Sequence, residues 1–357
     1  MVPRASILSV TSVLAALVAV AVSRPPVLLG QPPLRERSLG RFLETRLGFS
    51  AAQVAAVRRG QPVATVLPST VDREVAIAGA VHVRASTERL VDLLQDVERL
   101  ESGKSFLATR RIGSPPSLQD FDRLVLPAGD VKALRRCRPG SCDVKLGQGA
   151  FDQLAEIDWR RPDSTVQVNA LARRAALGYI EAYRKGGNAE LAINLDSERP
   201  QFIARDFEDM LTRTRLLPES LPALAAYLLG YPAVPLPAGS SDFFYWSLAD
   251  FGLKPVVRLN HVVVYSTGEP TGTKYAVAVK QLYASHYFHT ALEIRAVIDD
   301  EASPGSASYV VVLNMARSDG LTGLFGGVVK SKVQGRSRES LEKVLGTIRR
   351  LAEGRAE

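Results

Sequence analysis

Residues 280–295, KQLYASHYFHTALEIR, hold two of the chain's four histidines. Imidazoles can ligate a metal, move a proton or give a pocket its polar contact. Spacing separates these roles. Side chains alternate along an extended strand, so His286 and His289, three apart, point to opposite faces and reach one metal only across a bulge. No metal site is therefore expected. Leu282, Ala284, His286, Phe288, Thr290, Leu292 and Ile294 share one parity, an almost wholly apolar face that should look inward. Tyr283, Ser285, Tyr287, His289, Glu293 and Arg295 share the other. His286 is then the polar exception on an inner face. Two roles stand open for it, a core histidine held by a hydrogen bond or the polar contact of a ligand pocket. A general base is a third, and the pattern identifies no second member for it beyond an aromatic hydroxyl such as Tyr283 or Tyr245.

Upstream, FFYWS (243–247) and PVVRLNHVVVY (255–265) add Tyr245, Trp246, Arg258 and His261. Aromatic side chains on a curved sheet are mostly core. Those that face a covering helix can line a cavity, with Arg258 or His261 as the handle for a lipid headgroup or carboxylate. Opposite parity lets only one of these two look in.

Several other signals fail. ESGKS (101–105) mimics the tail of a phosphate loop, but Glu98 stands where the first glycine belongs. No Gly-x-Ser-x-Gly elbow occurs, so nucleotide hydrolysis and serine hydrolysis both lack support. The net charge of +8 comes in short basic clusters interleaved with acids, unlike the dense stripe of a nucleic-acid binder.

The elements that must position these residues begin after an apolar run, Val13 to Val22, behind Arg4. That length suits a signal-peptide core, with Ala21 and Ser23 before a cut; uncleaved, the segment would serve as an anchor. Export explains the cysteines. Cys137 and Cys142 flank Arg-Pro-Gly-Ser, a turn sequence that brings its ends together, and an oxidising compartment makes the pair a disulfide. Further on, SAAQVAAVRRG predicts a helix capped by Ser50 and stopped at Gly60, and REVAIAGAVHVRAS a strand. STERLVDLLQDVERL follows at once as a helix, with Thr87 as its cap. Residues 127–230 turn helical, and YPAVPLPAGSS (231–241) is a connector. A strand meander follows, and GRSRESLEKVLGTIRRLAE closes the chain as a long amphipathic helix.

In VHVRASTERLVDLLQDVERL and in SYVVVLNMARSDGLTGLFGGVVKSKVQGRSRESLEKVLGTIRRLAE, over residues 72–110 and 241–353, the chain resembles the START-like helix-grip superfamily, also called SRPBCC or polyketide-cyclase-like. The resemblance implies an α+β fold, a curved antiparallel sheet wrapped on a long C-terminal helix, here with a helical insertion. Behind the leader (1–23) and an arm and short helix (24–71), it sets a START-like domain (72–353) carrying the insertion at 127–240. Taken with the export that the leader predicts, it implies an exported, non-catalytic protein that binds a lipid or other hydrophobic small molecule between sheet and terminal helix, without cofactor. Tyr245, Trp246, Arg258, His261, Tyr283, His286 and Phe288 are the cavity candidates. The glycine-flanked loop 318–329, with Leu321, Leu324 and Phe325, is either a flexible lead or a membrane contact. The alternatives are an envelope enzyme built on His286, or an interaction protein whose insertion docks a partner.

Overall fold

The structure is a computed structural model and describes residues 39–250, 252–268, 273–322 and 326–354. The leader and nearly all of the arm lie outside these residues, as do Leu324 and Phe325 of the loop.

Helices α1 (Leu39–Thr45) and α2 (Ala51–Arg58) come first. Ser50 caps α2 in a reciprocal box with Gln53, and Gly60 takes the positive φ, 79°, that ends the turn. The hairpin β1 (Val63–Leu67) and β2 (Glu74–Val83) leads to α3 (Thr87–Gln95) and α4 (Val97–Leu100). The cap falls to Ser86, not Thr87: the Ser86 hydroxyl accepts from Arg89 N. Thr87 is pressed onto the sheet, where its hydroxyl meets Ser308 Oγ at 3.3 Å. After β3 (Phe106–Ile112) the insertion contributes α5 (Ala128–Leu134), α6 (Gln148–Ala155) and α7 (Ser164–Gly186). A two-residue pair, β4 (Ile193–Asn194) and β5 (Gln201–Phe202), precedes α8 (Ile203–Thr214), α9 (Leu216–Ser220) and α10 (Pro222–Gly230). The meander is β6 (Ser241–Ala249), β7 (Val256–Ser266), β8 (Thr273–Ala284), β9 (Phe288–Asp299) and β10 (Ser308–Ser318). Helix α11 (Gly326–Ala352) is last.

The fold is α+β. Its main sheet has eight antiparallel strands in the order β1-β2-β10-β9-β8-β7-β6-β3, open rather than closed into a barrel. Both of its faces are buried. Val75, Ile77, Val81, Val262, Val264, Val277, Val310 and Val312 pack beneath α3 and α11. Their strand neighbours point the other way, Ala76, Val263, Ala276, Ala278, Leu292, Ile294 and Leu313 against α8 to α10, and Ala78 and Ala80 against α1 and α2. Helix α7 extends this second layer over Phe244, Trp246, Leu259 and Leu282. The signal for two-sided burial is in the sequence, because VVV at 262–264 and VVVL at 310–313 do not alternate as a half-solvated strand would. The insertion is thus the sheet's second layer, neither a cap on the first nor a module held apart.

Residues 280–295 are not one strand. They are the end of β8 and the start of β9, joined by a turn at 285–287 in which Tyr287 takes a φ of 58°. The shared parity of 282–294 therefore breaks at His286. A bulge where β7 meets β8, between Leu259 and Asn260, shifts the register again. Leu282, Leu292 and Ile294 do look inward, but towards the insertion rather than α11.

Where the C-terminal half of α11 crosses β2, the space between them is filled by side chains. A Cβ placed on Gly79 of β2 would lie 2.8 Å from both Leu341 Cδ2 and Leu345 Cδ1, so the helix approaches the strand as closely as glycine permits. Leu345→Ala is expected to cost about 2 to 5 kcal/mol and Gly79→Ala about 1 to 3 kcal/mol in urea denaturation. The double variant should cost clearly less than the two together, since the new methyl enters the space the leucine leaves. Strict additivity would contradict this packing.

Candidate functional site

Two chain segments that the topology places side by side build the candidate site. One is the β8–β9 turn, the other the stretch after the cysteine pair. Cys137 and Cys142 form the disulfide, with 4.5 Å between Cα atoms, and Gly140 between them supplies the positive φ of 83°. The chain then runs along the turn. Lys145 N donates to Ser285 O at 2.9 Å, and Tyr283 donates its hydroxyl to Lys145 O at 2.8 Å. His286 Nδ1 donates to Asp143 O at 2.8 Å, and His286 Nε2 lies 3.0 Å from Asp130 Oδ1. The expected internal hydrogen bond of a core histidine is thereby present, twice over.

Between this seam and α5, α6 and α7 lies a cavity of about 380 Å³. Its wall is apolar: Leu124 ahead of the insertion, Leu134, Leu146, Leu154, Val168 and Leu171 within it, and Val257 and Leu259 from β7. It exists because small side chains face one another where α6 and α7 part. Gly149 and Ala150 on one helix and Ala172, Ala175 and Ala176 on the other line it, and exposed Gly149, Gln153 and Ala175 form the rim. Tyr179 and Tyr283 also line it, with their hydroxyls already spent. Tyr179 donates to Leu282 O at 2.9 Å and accepts from Ala192 N. Burial raises the pKa of both phenols, so neither ionises near neutrality. Asp130 is different. It is 2% exposed and lines the cavity, Oδ1 faces His286, and Oδ2 has no hydrogen-bond partner among the described residues.

Of the residues nominated from the sequence, only Tyr283 lies on this wall; His286 stands behind it through Asp130. Phe288 opens β9, half-buried, away from the wall. Tyr245 and Arg258 face α3 and α4, where Glu101 accepts from the Tyr245 hydroxyl at 2.9 Å and from Arg258 Nη2 at 2.9 Å. Trp246 packs under α7 and donates Nε1 to Asp120 O. His261, fully buried on that same face, has Nε2 2.8 Å from Asp242 Oδ2. Burial draws its pKa down and outweighs the pull of Asp242. Arg258 and His261 do lie on opposite faces, yet both look in, because both faces are covered. Leu321 of the 318–329 loop is core, packed with the α11 layer. Asp130, Lys145 and the α7 alanines escape sequence reasoning: an acid in LPAGDVKAL looks like any first-turn helix acid, and burial is its only distinguishing property.

A charged seam closes the cavity's floor. Lys145, 2% exposed, donates Nζ to Asp319 Oδ2 at 2.5 Å and to Gln201 Oε1 at 2.8 Å. His289 bridges Asp319 and Asp206, which in turn meets Arg317 and Arg73. His286 and His289 thus serve different carboxylates. Among the described residues no three potential ligands cluster as a metal would need. No protein-family model matches the chain, and no curated protein does.

Burial penalises the His289 imidazolium, but hydrogen bonds to Asp206 and Asp319 exceed that penalty and raise its pKa above the ordinary 6.5. For Asp319 too, burial acts against the charge, and the His289 and Lys145 bonds prevail, holding it at about 2 against an ordinary 3.8. The histidine's contribution to stability is complete below the unfolded-state value and fades as pH rises through the raised one. The aspartate's is complete above its unfolded value and fades as pH falls towards about 2. His289→Gln should therefore cost about 1 to 3 kcal/mol in urea denaturation at about pH 5 and markedly less at about pH 9. An equal cost at both would show that the ring's charge is not what holds the seam.

Proposed function

We propose that this chain is an exported binding protein that holds an apolar small molecule, lipids included, in the cavity between α5, α6, α7 and the β8–β9 turn. The observation that carries the reading is the cavity itself. Its volume of about 380 Å³ falls in the range of small-molecule sites, roughly 300 to 1,000 Å³, and its wall is apolar with few polar groups. The space beneath α11, where the helix-grip resemblance would put a ligand, is occupied by Leu341 and Leu345 against Gly79. The START-like part of the reading is supported by element order: strand, helix pair, meandering strands and terminal helix, with β2 and β10 neighbours in the sheet. The disulfide supports export, because such bonds persist in oxidising compartments. The enzymatic alternative gains no support from His286, whose two ring nitrogens are engaged by Asp143 O and Asp130.

The test is binding of the neutral fluorophore N-phenylnaphthylamine to the purified protein. We expect saturable enhancement of its emission, and Ala172→Phe, which projects a ring into the cavity, should weaken binding by about tenfold or more. Leu345→Ala, beneath α11, should leave the affinity unchanged. If Leu345→Ala alters binding and Ala172→Phe does not, the ligand lies against the terminal helix and this assignment is wrong.

A further inference from the structure

We infer that the occupant of this cavity is an uncharged apolar molecule bearing one hydrogen-bond donor, an aliphatic or alicyclic alcohol, whose hydroxyl donates to Asp130 Oδ2. The inference rests on the binding reading above and adds the chemical class of the ligand.

The argument begins with protons. Asp143 O is a backbone carbonyl and can only accept, so His286 Nδ1 carries a hydrogen. His286 Nε2 faces Asp130 Oδ1 at 3.0 Å, and one proton must lie between them. If it sits on the ring, an imidazolium meets a carboxylate. If it sits on Oδ1, a neutral imidazole meets a carboxylic acid. Either way the pair is electrically neutral as a unit, and either way Oδ2 is left as a bare acceptor. With Asp130 2% exposed and Oδ2 buried without a partner among the described residues, an unmet acceptor would cost about 1 to 3 kcal/mol. The occupant is therefore selected for a donor.

Charge narrows the choice further. A carboxylate would set oxygen against oxygen, and the Lys145 ammonium on the wall is already matched by Asp319. An ammonium could donate, but the carboxylate's charge is already matched by His286, so the cation would be desolvated without a counter-charge of its own. The other hydroxyls on the wall do not compete. Tyr179 and Tyr283 donate to backbone carbonyls and Ser285 Oγ already accepts from Val257 N, so a ligand's donor is needed at Asp130 Oδ2 rather than at these oxygens. A neutral hydroxyl on an apolar body meets every condition. The disulfide-pinned segment 143–146 and the β8–β9 turn hold the pair in place from behind.

Four probes of equal chain length separate the possibilities: dodecanol, dodecyl methyl ether, dodecanoate and dodecylamine, titrated calorimetrically into the intact protein. Dodecanol should bind about tenfold tighter than the ether, which accepts but cannot donate, and tighter than either charged probe. Asp130→Asn should keep this preference, because the amide can donate to a neutral His286 and still present its oxygen to the cavity. Asp130→Leu should bring dodecanol down to the ether's affinity. Equal binding of dodecanol and ether by the unaltered protein, or tighter binding of either charged probe, overturns the inference. When such binding is still abolished by Ala172→Phe, the cavity reading stands and only the ligand class is wrong. Water alone satisfying Oδ2 would show as no binding of any probe, N-phenylnaphthylamine included, and would overturn both.

Discussion

The structure depends on a sheet whose inner strands are covered on both faces. Antiparallel sheets commonly leave one side to solvent, and a strand then alternates between apolar and polar residues. Here β2 is buried along nearly its whole length, and β7 carries valines at three consecutive positions. Each face needs its own helical layer. The terminal helix and α3 supply one, and the insertion, joined by α1 and α2, supplies the other. Small residues mark where the second layer sits closest: Ala76, Ala78, Ala80, Ala276 and Ala278 all point towards it. Without residues 127–230, Ala76, Ala276, Ala278 and their neighbours would meet water, so the insertion belongs to the folding unit.

Two-sided burial also explains the placement of charge. Lys280, His261, His289 and Arg317 all project from the sheet towards the insertion and are buried. Lys280 meets Tyr183 Oη at 3.1 Å and lies over the Phe207 ring at 3.9 Å, and burial pushes its ammonium's pKa well down. Arg317 is met by Asp206 and Asp209 of α8, and by Glu74 from β2. Most of these partners come from the insertion. Leaving one such ion unpaired costs several kcal/mol, whereas a well-packed apolar pair would serve stability as well. What the ionic contacts add is position: a helix layer displaced along the sheet would strand several charges at once.

Much of this architecture was legible in the sequence, and the limits have physical causes. The Ser50 cap, the Pro-Gly disulfide turn, the meander and the amphipathic terminal helix are local signals, carried by residues within a few positions of one another. The break at 285–287 was not legible, because Ser285, His286 and Tyr287 include no glycine or proline, and a non-glycine residue at φ 58° leaves no compositional mark. Parity arguments across 282–294 failed with it. The partners of His286 were beyond reach for a different reason. Asp130 and Asp143 lie more than a hundred residues upstream, and only the layered packing brings them to the turn.

That packing also accounts for the cavity in the second layer. Beneath α11 the sheet meets one long helix, which can follow the strand it crosses closely enough for leucine to rest on glycine. Over β7 and β8 it meets α7 flanked by α5 and α6, helices of seven and eight residues, too short to cover a curved surface without gaps where they diverge. Large side chains would close such a gap, yet this chain places alanine and glycine there. It then sets a carboxylate on the wall, with one oxygen facing a histidine and the other without a partner among the described residues. A gap in packing forfeits dispersion, and a buried acceptor without a donor forfeits hydration, so each is a loss when taken alone. Their coincidence at one place, braced by a disulfide-pinned segment and a charged seam, is what a site for an apolar molecule with a single hydroxyl requires.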